Sequence, residues 1–192
     1  MSVTISKKEK VYGPIIGLDI STKTGLAVIE MNPHGEYQVR ATAELTAPKQ
    51  AGDIGRADLI AKQVIHCIET HQPMSVFIEG YGYSNTHTLV TLVEIGTLIR
   101  HALYVRGMQY HEIPPTSLKK FVCGKGNAKK DMVMKEVYKR WGFEGTDNEC
   151  DAVGLAMFGA AVHGKSDVPK LHMEAAISWR ETHASELQLI AN

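Results

Sequence analysis

Short apolar runs alternate along this chain with longer segments whose apolar positions recur every three or four residues, which predicts strands separated by helices. Residues 14–20 (PIIGLDI) read as a buried strand, residues 25–31 as its antiparallel partner across the turn STKTG, and residues 37–45, which alternate less cleanly, as a third. The three make a meander. In residues 57–70 the positions Ile60, Val64, Cys67 and Ile68 recur at helical spacing, and Pro73 closes the segment. The run that follows, residues 75–79 (SVFIE), ends in an acid. Reached through a helix, that strand is expected to lie parallel to the first.

A second helix is expected over residues 88–106, with Leu89, Val93 and Leu103 on one side and Val90, Ile95, Leu98 and Ala102 around much of the rest. One sheet face cannot bury so wide an apolar surface. The same helix of another subunit is the partner this predicts, and a central helix in a monomer is the alternative. Residues 108–113 form a last strand, stopped by Pro114 and Pro115, after which Thr116 suits the N-cap of a short helix, SLKKFV. A glycine-bearing basic loop, CGKGNAKKD, leads to helices over residues 131–140 and 148–162. HGKSDVPK reads as a linker. The tail carries Met173, Ile177, Leu187 and Ile190 at near-helical spacing and is expected to dock back or to bind a partner.

The expected division is a polar tail over 1–12, a domain over 13–163, and a linker with an amphipathic segment over 164–192. The fold class is α/β: a mixed sheet of three antiparallel meander strands followed by parallel strands, flanked by helices.

At 192 residues the chain suits one domain with a proper core. Its 21 lysines and arginines equal its 21 aspartates and glutamates, so total charge makes no case for nucleic acid and any such case must be local. Cys67, Cys123 and Cys150 show no ligand spacing and read as reduced thiols of a cytoplasmic protein. No run approaches the roughly 18 apolar residues of a membrane span, and MSVTISKKEK lacks a signal-peptide core. His66 and His71 on a helix surface, His87 in a polar loop and His163 at a helix end form no metal-ligand spacing.

The chemistry lies in three acids: Asp19 within the first strand, Glu79 at the end of the parallel strand, and Asp151 in the first turn of the last long helix. An acid inside IIGLDIS or VFIEG is costly to bury unless it is paired or bound to a metal. Neighbouring strands and one covering helix would let the three converge. Hydrolysis of a phosphodiester needs an activated water and a stabilised leaving oxyanion, and two divalent ions about 4 Å apart can serve both needs. Hard ions want the oxygen ligands that carboxylates supply. Singly, each acid also fits a turn or a helix cap, and Asp147 reads as the N-cap of the last long helix.

GLDISTKTGLAVI, FIEGYGY and NECDAVGLA resemble, in order and spacing over residues 14–163, the RuvC family of Holliday-junction resolvases, most like the bacteriophage versions. The resemblance implies a ribonuclease-H-like fold, a homodimer formed through the 88–106 helix, and magnesium-dependent cutting of four-way DNA junctions. It further implies two ions per site, with manganese able to substitute. Asp19, Glu79 and Asp151 resemble the family's metal-binding acids. Where the family has an Asp or His three residues before the last acid, this chain has Asn148, so Asp147 and Asn148 both stand as candidates for the auxiliary ligand. In LKKFVCGKGNAKKDMV, Lys119 and Lys130 match lysines that face DNA near the scissile phosphate, Lys130 with a catalytic part, and Lys120, Lys125 and Lys129 thicken the patch. Tyr81 and Tyr83 are candidates for stacking on opened bases, although the family's aromatic position falls on Gly82. Rival readings are an actin or sugar-kinase type nucleotide-binding domain, a ribonuclease-H-type hybrid nuclease, and a DNA-binding module without catalysis.

Overall fold

The computed structural model describes residues 12–82, 86–165 and 168–188. Strands β1 (Ile15–Asp19), β2 (Lys23–Met31) and β3 (Tyr37–Thr46) form the antiparallel meander, and β4 (Ser75–Glu79) and β5 (Tyr110–Ile113) run parallel to β1. The order across the sheet is β3-β2-β1-β4-β5. Helix α1 (Gly52–His71) makes the crossover from β3 to β4, and α2 (Thr86–Val105) the one from β4 to β5.

Helices cover both faces of the sheet, which is why β1 is apolar without alternation. Ile16, Leu18, Val76 and Ile78 face α1 and α2, where Ile60, Val64, Ile95, Ile99 and Leu103 complete one core. Ile15 and Phe77 face the other way, into a core built on α5 (Asp147–Val162). Alternation then fixes Asp19 and Glu79 on the α5 side, each two residues along its strand from an α5-facing position.

Helix α5 lies directly on the strand backbones. A Cβ at Gly17 would overlap the Ala152 carbonyl, and one at Gly25 the Asn148 carbonyl. Its start is fixed by a capping box: the Thr146 hydroxyl accepts from Glu149 N at 3.3 Å, and the Glu149 carboxylate accepts from Thr146 N at 3.0 Å. Asp147 is therefore the first helical residue, not the cap.

Helix α3 (Pro115–Cys123) likewise starts earlier than Thr116. Pro114 is its N-cap and Pro115 its first residue, where a missing N–H costs nothing. Helix α4 (Lys130–Trp141) follows the basic loop. His87 belongs to the backbone of α2 rather than to a loop. Val93, expected beside Leu103, is 40% exposed, whereas Leu103 is buried.

After 163 the chain folds back. Helix α6 (Lys170–Thr182) sends Ala175, Ala176 and Trp179 into the α5 core, and the short α7 (Ala184–Gln188) adds Leu187 at its edge. The Trp179 indole donates to the Glu112 carbonyl of β5 at 3.0 Å, and His172 Nδ1 bonds the Phe121 carbonyl of α3 at 2.7 Å. Ile190 lies outside the described residues.

Candidate active site

Two carboxylates come together where β1 and β4 end, and a third, Asp151, stands over them near the start of α5. Leu18 pairs with Ile78 in the parallel register, so the next residues, Asp19 and Glu79, emerge side by side. Their carboxyls share a hydrogen bond; the charge of Asp151 raises Glu79, and Asp151 is itself raised by the charge of Asp19. Asp19 is only 8% exposed. Burial, reinforced by the Glu79 charge, holds the Asp19 carboxyl well above the usual range. Burial and the Asp151 charge raise Glu79 to about 7, and burial and the Asp19 charge raise Asp151 to about 7. Two buried carboxyls in direct contact need a proton or a cation between them. Among the described residues, no three carboxylate, histidine or cysteine side chains stand close enough to enclose a metal ion. Asp19 and Glu79 form the close pair, with Asp151 standing off.

Lysines flank the acids. Lys119 lowers the proton affinity of Glu79 and Asp151, and Lys130 that of all three. Lys130 Nζ is 2.5 Å from Asp147 Oδ2, a contact that raises the lysine pKa and lowers that of the aspartate. Asp147 in turn adds negative potential at Asp19 and Asp151. Asn148 turns its amide to Glu44, donating at 3.0 Å, and Glu44 also pairs with Lys23 at 3.4 Å. Lys125 and Lys129 are exposed on the loop. Lys120 leans the other way, 3.9 Å from Glu174 of α6.

The family model for "Crossover junction endodeoxyribonuclease RuvC" matches residues 15–158, from the first strand through most of α5. The chain belongs to the RuvC family. The RuvC of Synechococcus sp. (strain CC9311) is 24% identical over 158 residues, which cover 78% of this chain and 99% of that protein. Thermus thermophilus RuvC superposes with a TM-score of 0.66 at 19% identity, covering 79% of this chain and 97% of that one. The same protein in complex with a Holliday junction substrate gives 0.66 at 18% identity, over 76% and 91% of the two chains. These relatives are bacterial and do not support the bacteriophage version of the family that the sequence resembles.

Within this RuvC frame the two tyrosines part. Tyr81 is partly buried with the Arg100 guanidinium 4.7 Å over its ring, and Tyr83 lies outside the described residues. Sequence reasoning missed Arg100, Glu44 and Glu149. Glu149 stands three residues after Thr146, the spacing of a capping box, and was legible for that reason. Arg100 and Glu44 reach their partners only through the tertiary fold. The thiols are free, and burial pushes Cys150 up to about 11. His163, the half-buried C-cap of α5, bonds the Ser75 hydroxyl at the start of β4 through Nε2 at 3.1 Å. No described helix is long and apolar enough to cross a membrane.

The donor set fits a hard divalent cation. It is all oxygen and largely buried, the chemistry such an ion takes.

Proposed function

We propose that Asp19, Glu79 and Asp151 form the metal-dependent hydrolytic centre with which this crossover junction endodeoxyribonuclease nicks four-way DNA junctions. The observation that carries the reading is the contact of two buried carboxyls at adjacent strand ends, with a third acid above them and two lysines at the rim. Buried acids that stay near neutrality at physiological pH favour exchange of a shared proton for a cation. Magnesium, or manganese in its place, would be held by these three, two ions per site. Asp147, or Asn148 through an amide oxygen that its bond to Glu44 leaves free, assists.

Bound there, the ions would supply Lewis-acid stabilisation of phosphate charge and a nucleophilic water. The protein supplies the rest. Adjacent strand ends fix Asp19 and Glu79, and the glycine contacts under α5 fix the height of Asp151. Lys119 and Lys130 orient the scissile strand and offset negative charge as it develops. Lys125 and Lys129 extend the phosphate contacts along the loop, with Lys120 at their edge. Tyr81 is turned to Arg100, which leaves Tyr83, outside the described residues, as the candidate for opened bases.

Paired nicks need two sites related by a twofold axis. Val90, Val93, Thr97, His101 and Tyr104 form an exposed stripe along α2, at the three- and four-residue steps of one helix face. This stripe supports the homodimer through α2.

The test is cleavage of a synthetic four-way junction beside duplex, flap and RNA–DNA hybrid, with magnesium, manganese or chelator. Symmetric nicks confined to the junction and lost with chelator are expected. Equal cutting of flaps broadens the substrate, hybrid-only cutting indicates a ribonuclease-H-type enzyme, and cleavage that survives chelation overturns the metal centre.

A further inference from the structure

Arg100, in the C-terminal part of α2, makes three contacts that converge on the end of the sheet beside Glu79. Its Nη1 donates to the Tyr81 hydroxyl at 2.8 Å, its guanidinium carbon lies 4.7 Å over the Tyr81 ring, and its Nε donates to Glu112 Oε1 at 2.6 Å. The side chain is 12% exposed, and its Nη2 is buried without a hydrogen-bond partner among the described residues. One nitrogen of this guanidinium thus lacks the partner that its burial calls for. A buried donor without a partner costs about 1–3 kcal/mol, and an apolar side chain would avoid that cost.

The surroundings are shaped to admit the network. A Cβ at Gly96, one turn before Arg100, would overlap both Arg100 Nη1 and the Tyr81 hydroxyl, so the absence of a side chain there lets the tyrosine lie against α2. Tyr81 is two residues beyond Glu79. Between them, Gly80 N donates to the Ile113 carbonyl at 2.9 Å. The segment carrying Glu79 is thus held at two points, by a backbone bond to the end of β5 and by the Tyr81 side chain on Arg100. Glu112, one residue before Ile113, closes the loop of contacts back to the same arginine. With one face against Arg100, the Tyr81 ring serves this network rather than a DNA base.

We propose that Arg100 is a positioning residue for the cleavage reaction: through Tyr81 and Glu112 it fixes the Glu79–Tyr81 segment against α2 and β5. The inference rests on Glu79 as a metal-binding acid of the proposed centre. A segment held by one point can pivot, and a misplacement on the order of 1 Å at a reacting group costs about a hundredfold in rate. Because the same helix carries the exposed stripe, the order of the Glu79 segment is tied to the element that would meet a second copy.

The experiment compares wild type with Arg100→Met, Arg100→Lys and Tyr81→Phe in single-turnover junction cleavage with magnesium, junction affinity at several salt concentrations, and melting temperature. Arg100→Met is expected to slow cleavage about 10–100-fold, as the loss of a supporting contact around a metal ligand does, while affinity and its salt slope hold. Tyr81→Phe keeps the ring and loses the bond, and should fall between. Arg100→Lys should not restore the wild-type rate, since a point charge cannot make the forked contacts. Weakened binding with a salt slope reduced by about one would make Arg100 a phosphate contact and overturn the inference. A lowered melting temperature with an unchanged rate would make it merely structural, with the same consequence. If Arg100→Met does not fold, Tyr81→Phe decides alone. An inactive wild type, or full activity in Glu79→Gln, overturns the proposed centre and this inference together, and either is read before any Arg100 variant is compared.

Discussion

The Lys130 ammonium and the Asp147 carboxylate, 2.5 Å apart, join the first residue of α4 to the first residue of α5. Asp147 suits its helix end, where the macrodipole favours an anion; Lys130 opposes its own. A cation set against its helix dipole is held there by Asp147 and by the acids at whose rim it stands.

Lys130→Ala should therefore leave stability within about 1 kcal/mol, since the side chain is 67% exposed and its pair screened. Junction binding should weaken, and the slope of log affinity against log salt should shrink by about one. Titrating the junction at four salt concentrations checks both.

Asp19→Asn should reduce cleavage by about a thousandfold or more while junction affinity remains close to that of wild type. The exchange removes a charged oxygen donor and leaves the lysines in place. Gel-shift and cleavage assays on one preparation separate the two effects, and a variant that no longer binds would place Asp19 in the fold rather than in the chemistry.

Gly17→Ala tests how α5 is carried. The added methyl meets the Ala152 carbonyl, and neither backbone can yield without lifting the helix. A loss of about 1–3 kcal/mol in urea unfolding is expected. The displaced Asp151 should cost about a further hundredfold in cleavage even where the protein remains folded.

His111 makes stability depend on pH. It is 3% exposed, sits 5.0 Å from the Phe77 ring and 5.4 Å from the Trp179 ring, and has no hydrogen-bond partner on either nitrogen among the described residues. Burial, helped by the charges of His163 and His183, lowers its pKa to about 4 from the ordinary 6.5. The folded pKa lies below the unfolded one, so the neutral ring's contribution is complete above pH 6.5 and is lost as pH falls toward 4. The difference is worth roughly 3 kcal/mol. Urea unfolding of wild type and His111→Phe at pH 7.5, 6 and 5 should show the gap between them moving in favour of the variant as pH falls.

The strands were legible because covering both faces of β1 and β4 leaves unbroken apolar runs, and the acids that end or interrupt those runs marked the candidate site. Helix starts were less so. Periodicity over 57–70 finds the buried face of α1 but misses its exposed first turn at Gly52 and Asp53. Thr116 resembled a cap because of its chemistry, while Pro115 had already begun the helix. What no local pattern carries is contact between distant segments: Tyr81 with Arg100, Asn148 with Glu44, and Trp179 with Glu112 are all set by how layers stack.

Trp179 also bears on what this sheet does among its own kind. An outer strand with open carbonyls is a template on which another molecule's strand can grow. At β5 the indole occupies one such acceptor; at the opposite border, β3 turns exposed Gln38 and Arg40 to solvent. One border is shielded by a side chain and the other by polarity and charge. Removal of α6 would strip the first defence, and the expected failure is then runaway polymerisation along β5 rather than simple unfolding.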